Sequence, residues 1–176
     1  MNIFKFIKTP VNNSYLAISL LGKNLKLNIK YTNRSDIELE KKEIEINLFL
    51  PKSYKNSENI DIINLAIKKL YDEIANIEIE YAMEIARHIL RFAPENYKIE
   101  RLNGLFYKCK GKIITVNPDI VQYNREVINT TIIQAFCKIK HNPNSSAYKE
   151  TLKYAMEKYY EYKQKQNNNQ KILKIS

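Results

Sequence analysis

Apolar and polar residues alternate through most of the first fifty positions. The run Tyr15-Leu16-Ala17-Ile18-Ser19-Leu20-Leu21 comes first. Leu25, Leu27, Ile29 and Tyr31 then alternate with Lys26, Asn28 and Lys30, and Ile44, Ile46, Leu48 and Leu50 alternate with Glu45, Asn47 and Phe49. A period of two puts one set of side chains on each face of a strand, so this stretch predicts a half-buried antiparallel sheet. Thr32-Asn33-Arg34-Ser35-Asp36 supplies a turn, Pro51 closes the last strand, and the first strand is expected to pair with the second.

After Pro51 the period changes to that of a helix. Ser57-Glu58-Asn59-Ile60-Asp61 opens a helix with Ile62, Ile63, Leu65, Ala66, Ile67, Leu70 and Tyr71 at helical spacing, and a second helix is predicted from Ile77 to Phe92, stopping before Pro94. An extended segment, Tyr97 to Val116, is broken by Gly104 and Gly111. Further helices are predicted at Glu126 to Lys140 and Ala147 to Tyr162, separated by the loop His141 to Ser146. Helices that follow a sheet, instead of alternating with its strands, indicate an α+β fold.

With 176 residues, 44% of them hydrophobic, one domain is expected over 1–162. Residues 163–176 begin Lys163-Gln164-Lys165-Gln166-Asn167-Asn168-Asn169-Gln170-Lys171, a low-complexity basic tail expected to be disordered. No run reaches the roughly 20 apolar residues that span a bilayer. Lys5 and Lys8 precede an apolar stretch that is too short, and too strand-like, for a secretory leader. Cys109 and Cys137 form no C-x-x-C pair, so neither a disulfide framework nor a zinc ribbon is indicated and a reducing cytoplasm is expected.

The net charge of +10 raises the question of a nucleic-acid partner. Only Arg34, Arg87, Arg91, Arg101 and Arg125 among the 29 basic residues are arginine, the residue suited to bidentate recognition, and lysine is spread along the whole chain. Much of the excess therefore reads as solubilising charge. With three glycines there is no phosphate-cradling loop.

The segment Gly111-Lys112-Ile113-Ile114-Thr115-Val116-Asn117-Pro118 predicts a strand ending in an Asn-Pro turn. The following helix carries Thr131-Ile132-Ile133-Gln134-Ala135-Phe136-Cys137-Lys138. This arrangement resembles the YgjP-like metallopeptidase family, zincin-type proteins related to the SprT and WLM groups. Tyr148 matches the family's aromatic after its third histidine, and Cys109 matches the cysteine of its W-G-S-C stretch, replaced here by Phe106-Tyr107-Lys108-Cys109. The likeness extends over the N-terminal sheet and the helix after Pro51. It implies a zincin-like C-terminal unit.

Zinc chemistry of that kind needs two imidazoles four residues apart on one helix face and a glutamate to deprotonate the bound water. The corresponding positions are Gln134, Ala135 and Lys138, and the third ligand falls at Asn144 or Ser145. Ligands and base are missing together, so no catalytic residue, resident metal or other cofactor is expected. Two readings of the helix remain. In one, Ile128, Ile132, Ala135, Phe136 and Ile139 form an ordinary core face with Gln134 and Lys138 at its edge; the other keeps a pocket in which the Lys138 ammonium replaces the metal. Cys137 and His141, four apart, are the weak metal candidates, while His88 reads as an edge histidine.

Interleaved tyrosines and lysines mark the last helix. Lys149, Lys153, Tyr154, Lys158 and Tyr162 are the candidate partner-binding residues, against the plainer reading of a packing helix with stripe Leu152, Ala155, Met156 and Tyr159. The expected function is a catalytically inactive, metallopeptidase-like binding or regulatory module for a protein or nucleic-acid partner. The alternative is a metal-dependent hydrolase with a displaced site.

Overall fold

The computed structural model describes residues 16–55 and 60–172, with side chains to residue 168. The basic Lys5 and Lys8 terminus, the start of the first predicted strand at Tyr15, the helix opening Ser57-Glu58-Asn59 and residues 173–176 lie outside the described residues. The fold is α+β, and the chain divides into two compact units, residues 1–75 with 121–125 and residues 76–120 with 126–176. The expectation of one domain over 1–162 does not include this division.

In the first unit, β1 (Leu16–Leu20), β2 (Lys23–Thr32), β3 (Glu38–Lys41) and β4 (Glu45–Pro51) form a sheet of order β1-β2-β4-β3. The β1–β2 hairpin is antiparallel, as the pattern predicts. β2 and β4 correct the expectation of a wholly antiparallel sheet, because they pair in parallel from Lys26 with Glu45 to Thr32 with Pro51. The reason lies in the segment read as a turn. Between it and β4 the chain forms β3, which runs antiparallel to β4 on the outer edge, so the chain reverses twice and β4 enters between β2 and β3. Ile44 falls before β4 and is 76% exposed.

The alternation then sorts the two faces. Leu25, Leu27, Ile46, Leu48 and Leu50 are buried with Ile18 and Leu20. On the opposite face Asn28 Nδ2 donates to Asn47 Oδ1 at 3.3 Å and Asn47 Nδ2 donates to Glu40 Oε2 at 2.8 Å, a polar ladder across three strands. Asn47 can be wholly buried because these bonds satisfy its amide.

The two predicted helices of the middle region are one, α1 (Ile60–Leu90), of 31 residues. No Pro or Gly stands between Tyr71 and Ile77 to break the backbone hydrogen-bond ladder. The unit boundary falls inside this helix. Its first half buries Ile63, Ala66, Ile67, Leu70 and Tyr71, and the Tyr71 hydroxyl donates to the Ser19 carbonyl at 2.7 Å.

The second unit contains β5 (Asn96–Ile99), β6 (Tyr107–Lys110) and β7 (Ile113–Val116) in the order β5-β7-β6, parallel between β5 and β7 and antiparallel between β6 and β7. Here too the last strand enters the middle. Asn117 ties the exit of β7 to the preceding loop, its amide donating to the carbonyls of Leu102 and Leu105 at 2.9 and 3.0 Å while Oδ1 accepts from the Asp119 amide at 3.1 Å. A 3₁₀ turn at Pro118–Gln122 leads to α2 (Arg125–Lys140), and α3 (Ser146–Ile172) follows. α3 continues ten residues past the predicted end at Tyr162, through Ile172, where a disordered tail is expected. Gln and Lys are good helix formers, and extending an existing helix avoids the cost of nucleation. Among the described residues no helix is long and apolar enough to cross a membrane.

The β1–β2 hairpin turns through Leu21 and Gly22, with φ of 50° and 78°. Both are left-handed, the geometry of a type I′ turn, which costs roughly 1–2 kcal/mol for a residue such as Leu21. Amide donations from Leu21 to the Val121 carbonyl at 2.6 Å and from Gly22 to the Gln122 carbonyl at 3.2 Å hold the turn. A Cβ at Gly22 would lie 2.8 Å from the Asn124 Cβ. Gly22→Ala therefore combines backbone strain with a clash, and is expected to lower stability by about 2 kcal/mol in urea denaturation. An unchanged midpoint would show that the turn does not need glycine.

Candidate functional site

The positions that would carry zinc chemistry lie on α2, and most of that helix is core. Ile128, Asn129, Thr131, Ile132, Ile133, Ala135, Phe136 and Cys137 are all buried. Ala135 is 0% exposed, Gln134 is half-buried, and Lys138 is exposed with its ammonium 5.5 Å from the Tyr107 ring centroid. The core-face reading of α2 therefore holds, with Ile139 half-buried at its margin. The proposal that the Lys138 ammonium occupies a buried metal position is corrected, because a long cationic side chain gains more by leaving its charge in water over an aromatic face.

Asn144, at the position of a third ligand, is an exposed turn residue whose backbone amide donates to Asn142 Oδ1 at 3.0 Å. Ser145 caps α3, accepting the Tyr148 amide on Oγ at 3.1 Å. Tyr107, Cys109, Cys137 and Tyr148 stand close enough that both thiols act on both phenols. Burial pushes the Tyr107 hydroxyl up to about 12 and the Cys137 thiol up to about 11. It also raises Cys109, opposed by the positive charge of Lys138. Thiols raised in this way carry little thiolate at neutral pH, which does not suit nucleophilic attack. His141 Nε2 lies 3.2 Å from Thr151 Oγ1, and the His141 amide closes α2 on the Cys137 carbonyl at 2.9 Å. Among the described residues no three His, Cys, Asp or Glu side chains gather into a metal-holding group.

The tyrosines and lysines of α3 divide by face. One set serves packing. Tyr159 is buried and its hydroxyl accepts from Asn129 Nδ2 at 3.2 Å, the Tyr160 hydroxyl donates to Glu126 Oε1 at 3.2 Å, and Lys163 pairs with the same carboxylate. The Lys163 hydrogen bond is the main reason that the Glu126 carboxyl is held below its ordinary range. The other set, Tyr154, Lys158, Glu161, Tyr162 and Lys165, lines a cleft of about 330 Å³ whose other wall is the end of α1, with His88, Ile89 and Arg91.

Three of the five candidate partner-binding residues, Tyr154, Lys158 and Tyr162, thus meet in one place. Lys149 and Lys153 are exposed on α3 but do not line the cleft. Sequence reasoning did not foresee the contribution of Arg91 and His88, which are remote in the chain. Their signal was the cluster of cations that complements the carbonyl end of a helix. Arg91 ends α1 with φ of 56°, and its amide bonds to the Arg87 carbonyl at 2.9 Å. Within the cleft Lys158 Nζ donates to Glu161 Oε2 at 2.8 Å, and the Tyr162 hydroxyl lies 3.2 Å from that of Tyr81. Arg91, Lys158 and Lys165 against Glu161 leave the site cationic, with phenol faces alongside.

No protein-family model matches the chain, and neither a curated protein nor a solved structure matches it.

A thiol raised from 9.0 to about 11 carries roughly 100-fold less thiolate at pH 8. Iodoacetamide is accordingly expected to alkylate Cys137 at least about 100-fold more slowly in the folded protein than in urea. Equal rates, read by peptide mass spectrometry, would contradict a buried, protonated Cys137.

Proposed function

We propose that the chain is a catalytically inactive binding module on a scaffold similar to YgjP-like zincins, and that it holds a protein or nucleic-acid partner on the outer face of α3. The carrying observation is the contrast between two helices. At the position of the zinc motif, α2 offers a fully buried alanine and an exposed lysine engaged with Tyr107. α3 instead turns Tyr154, Lys158, Tyr162 and Lys165 into an open cationic cleft.

The reading is chemical as well as geometric. Ala135 has no oxygen to deprotonate a water, and a lysine ammonium has no lone pair for zinc at neutral pH. Surface chemistry is what such a scaffold retains. Long cationic side chains beside exposed phenols suit an anionic partner, whether carboxylate-rich or phosphate-rich. A displaced hydrolytic site has less support, since Cys137 is buried and His141 lies against Thr151.

Metal analysis tests this reading. The full chain, purified without tag or chelator after growth with added zinc, is expected to carry only trace metal by mass spectrometry and to leave a panel of peptide substrates uncut. One zinc per chain, lost on Cys137→Ala or His141→Ala, would instead establish the displaced site.

A further inference from the structure

The cleft between the end of α1 and α3 contains more than a charge excess. Lys158 and Lys165 are seven residues apart, roughly 10.5 Å along a helix axis, so they mark out a cationic track and not a single point. Arg91 stands on the opposite wall. Tyr154, 51% exposed, lies one helical turn before Lys158 and presents an aromatic ring at the same opening.

We propose that this cleft binds single-stranded nucleic acid, with Tyr154 stacking on a base while Lys158, Lys165 and Arg91 neutralise backbone phosphates. The inference rests on the reading of α3 as the partner-binding face and gives that partner a chemistry. A cationic groove with aromatic platforms is how sequence-tolerant strand binding works, because every base has a π face and every linkage a phosphate. Lysine suits this role. It contacts phosphate as a point charge and leaves base edges unread, so the scarcity of arginine argues against sequence-specific recognition and not against binding. An acidic peptide would satisfy the cations but leave the exposed phenol without a stacking partner. A closed duplex would likewise hide its base faces from Tyr154.

Glu161 sharpens the prediction. Its carboxylate holds Lys158 at 2.8 Å and sits in the cleft where phosphates would pass. Removing that negative charge frees one cation and removes one repulsion, so Glu161→Gln should tighten binding although it deletes an ion pair.

The test is fluorescence anisotropy of a labelled oligo(dT) ten-mer with the full chain over a salt series. Binding should weaken steeply with salt. Lys158→Gln with Lys165→Gln should weaken it by about tenfold and flatten the salt slope by about 1.4, roughly 0.7 per lost phosphate contact on a single strand. Lys149→Gln with Lys153→Gln removes the same charge outside the cleft and should change affinity by no more than about twofold. Tyr154→Ala should cost roughly tenfold, and Glu161→Gln should gain about twofold.

Equal losses in the two lysine pairs would overturn the proposal in favour of general electrostatics. So would indifference to Tyr154→Ala, or poly-glutamate competing as well as the oligonucleotide. Absence of binding at low salt would end it while leaving the metal-free module intact, whereas zinc with hydrolysis would remove that reading itself.

Discussion

The fold depends on where the last strand of each sheet is placed. β4 and β7 are both central, each with a parallel partner from earlier in the chain on one side and an antiparallel hairpin partner on the other. A central strand has both edges hydrogen-bonded, so it can hold apolar residues on one face and a satisfied polar group such as Asn47 on the other. The same succession occurs twice: strand, edge strand, inserted central strand, 3₁₀ turn, long helix. Proline follows the central strand in both cases, as Pro51 at the end of β4 and Pro118 after Asn117. Its missing amide ends the ladder and its fixed φ starts the turn.

What each helix contributes follows from how much of it the fold covers. α2 is buried on most of its circumference, and a carboxylate at Ala135 would have to be desolvated there. Its polar groups are correspondingly local. Asn129 reaches Tyr159, and the Thr130 hydroxyl bonds back to the Glu126 carbonyl at 2.8 Å. Cys137 is buried, and burial raises its thiol as it does the half-buried Tyr107, Cys109 and Tyr148 around it, so the group contributes volume more than reactivity.

α3 is covered on one side only. Glu126 draws Lys163 and Tyr160 toward α2, which orients that face and leaves the Tyr154 to Lys165 face outward. The strength of such an exposed ion pair is modest, and its orienting effect matters more than its energy. Packing thus uses one set of α3 side chains and leaves another set lining the cleft.

The alternation of Leu25 and Leu27 and of Ile46, Leu48 and Leu50 determined strands, their buried face and the α+β class, because a period of two leaves no other way to bury one side. The 3.6 spacing determined α2 and the packing stripe of α3, including buried Ala135, Ala155 and Tyr159. That Gln134, Ala135 and Lys138 supply neither imidazole ligands nor a carboxylate base was legible without any coordinates, since ligand lone pairs belong to residue types. Strand direction was not legible. Whether β2 meets β4 in parallel depends on a four-residue edge strand, β3, whose Glu38-Leu39-Glu40-Lys41 is too short to announce itself between turn residues. The extent of α3 past Tyr162 was hidden by a composition that suits disorder and helix alike. Only tertiary structure could set Arg91 and His88 opposite Lys158, or give Tyr154 to the cleft and Tyr159 to the core. Residues distant in sequence become one site through packing, and local periodicity carries no information about which cation will face which helix.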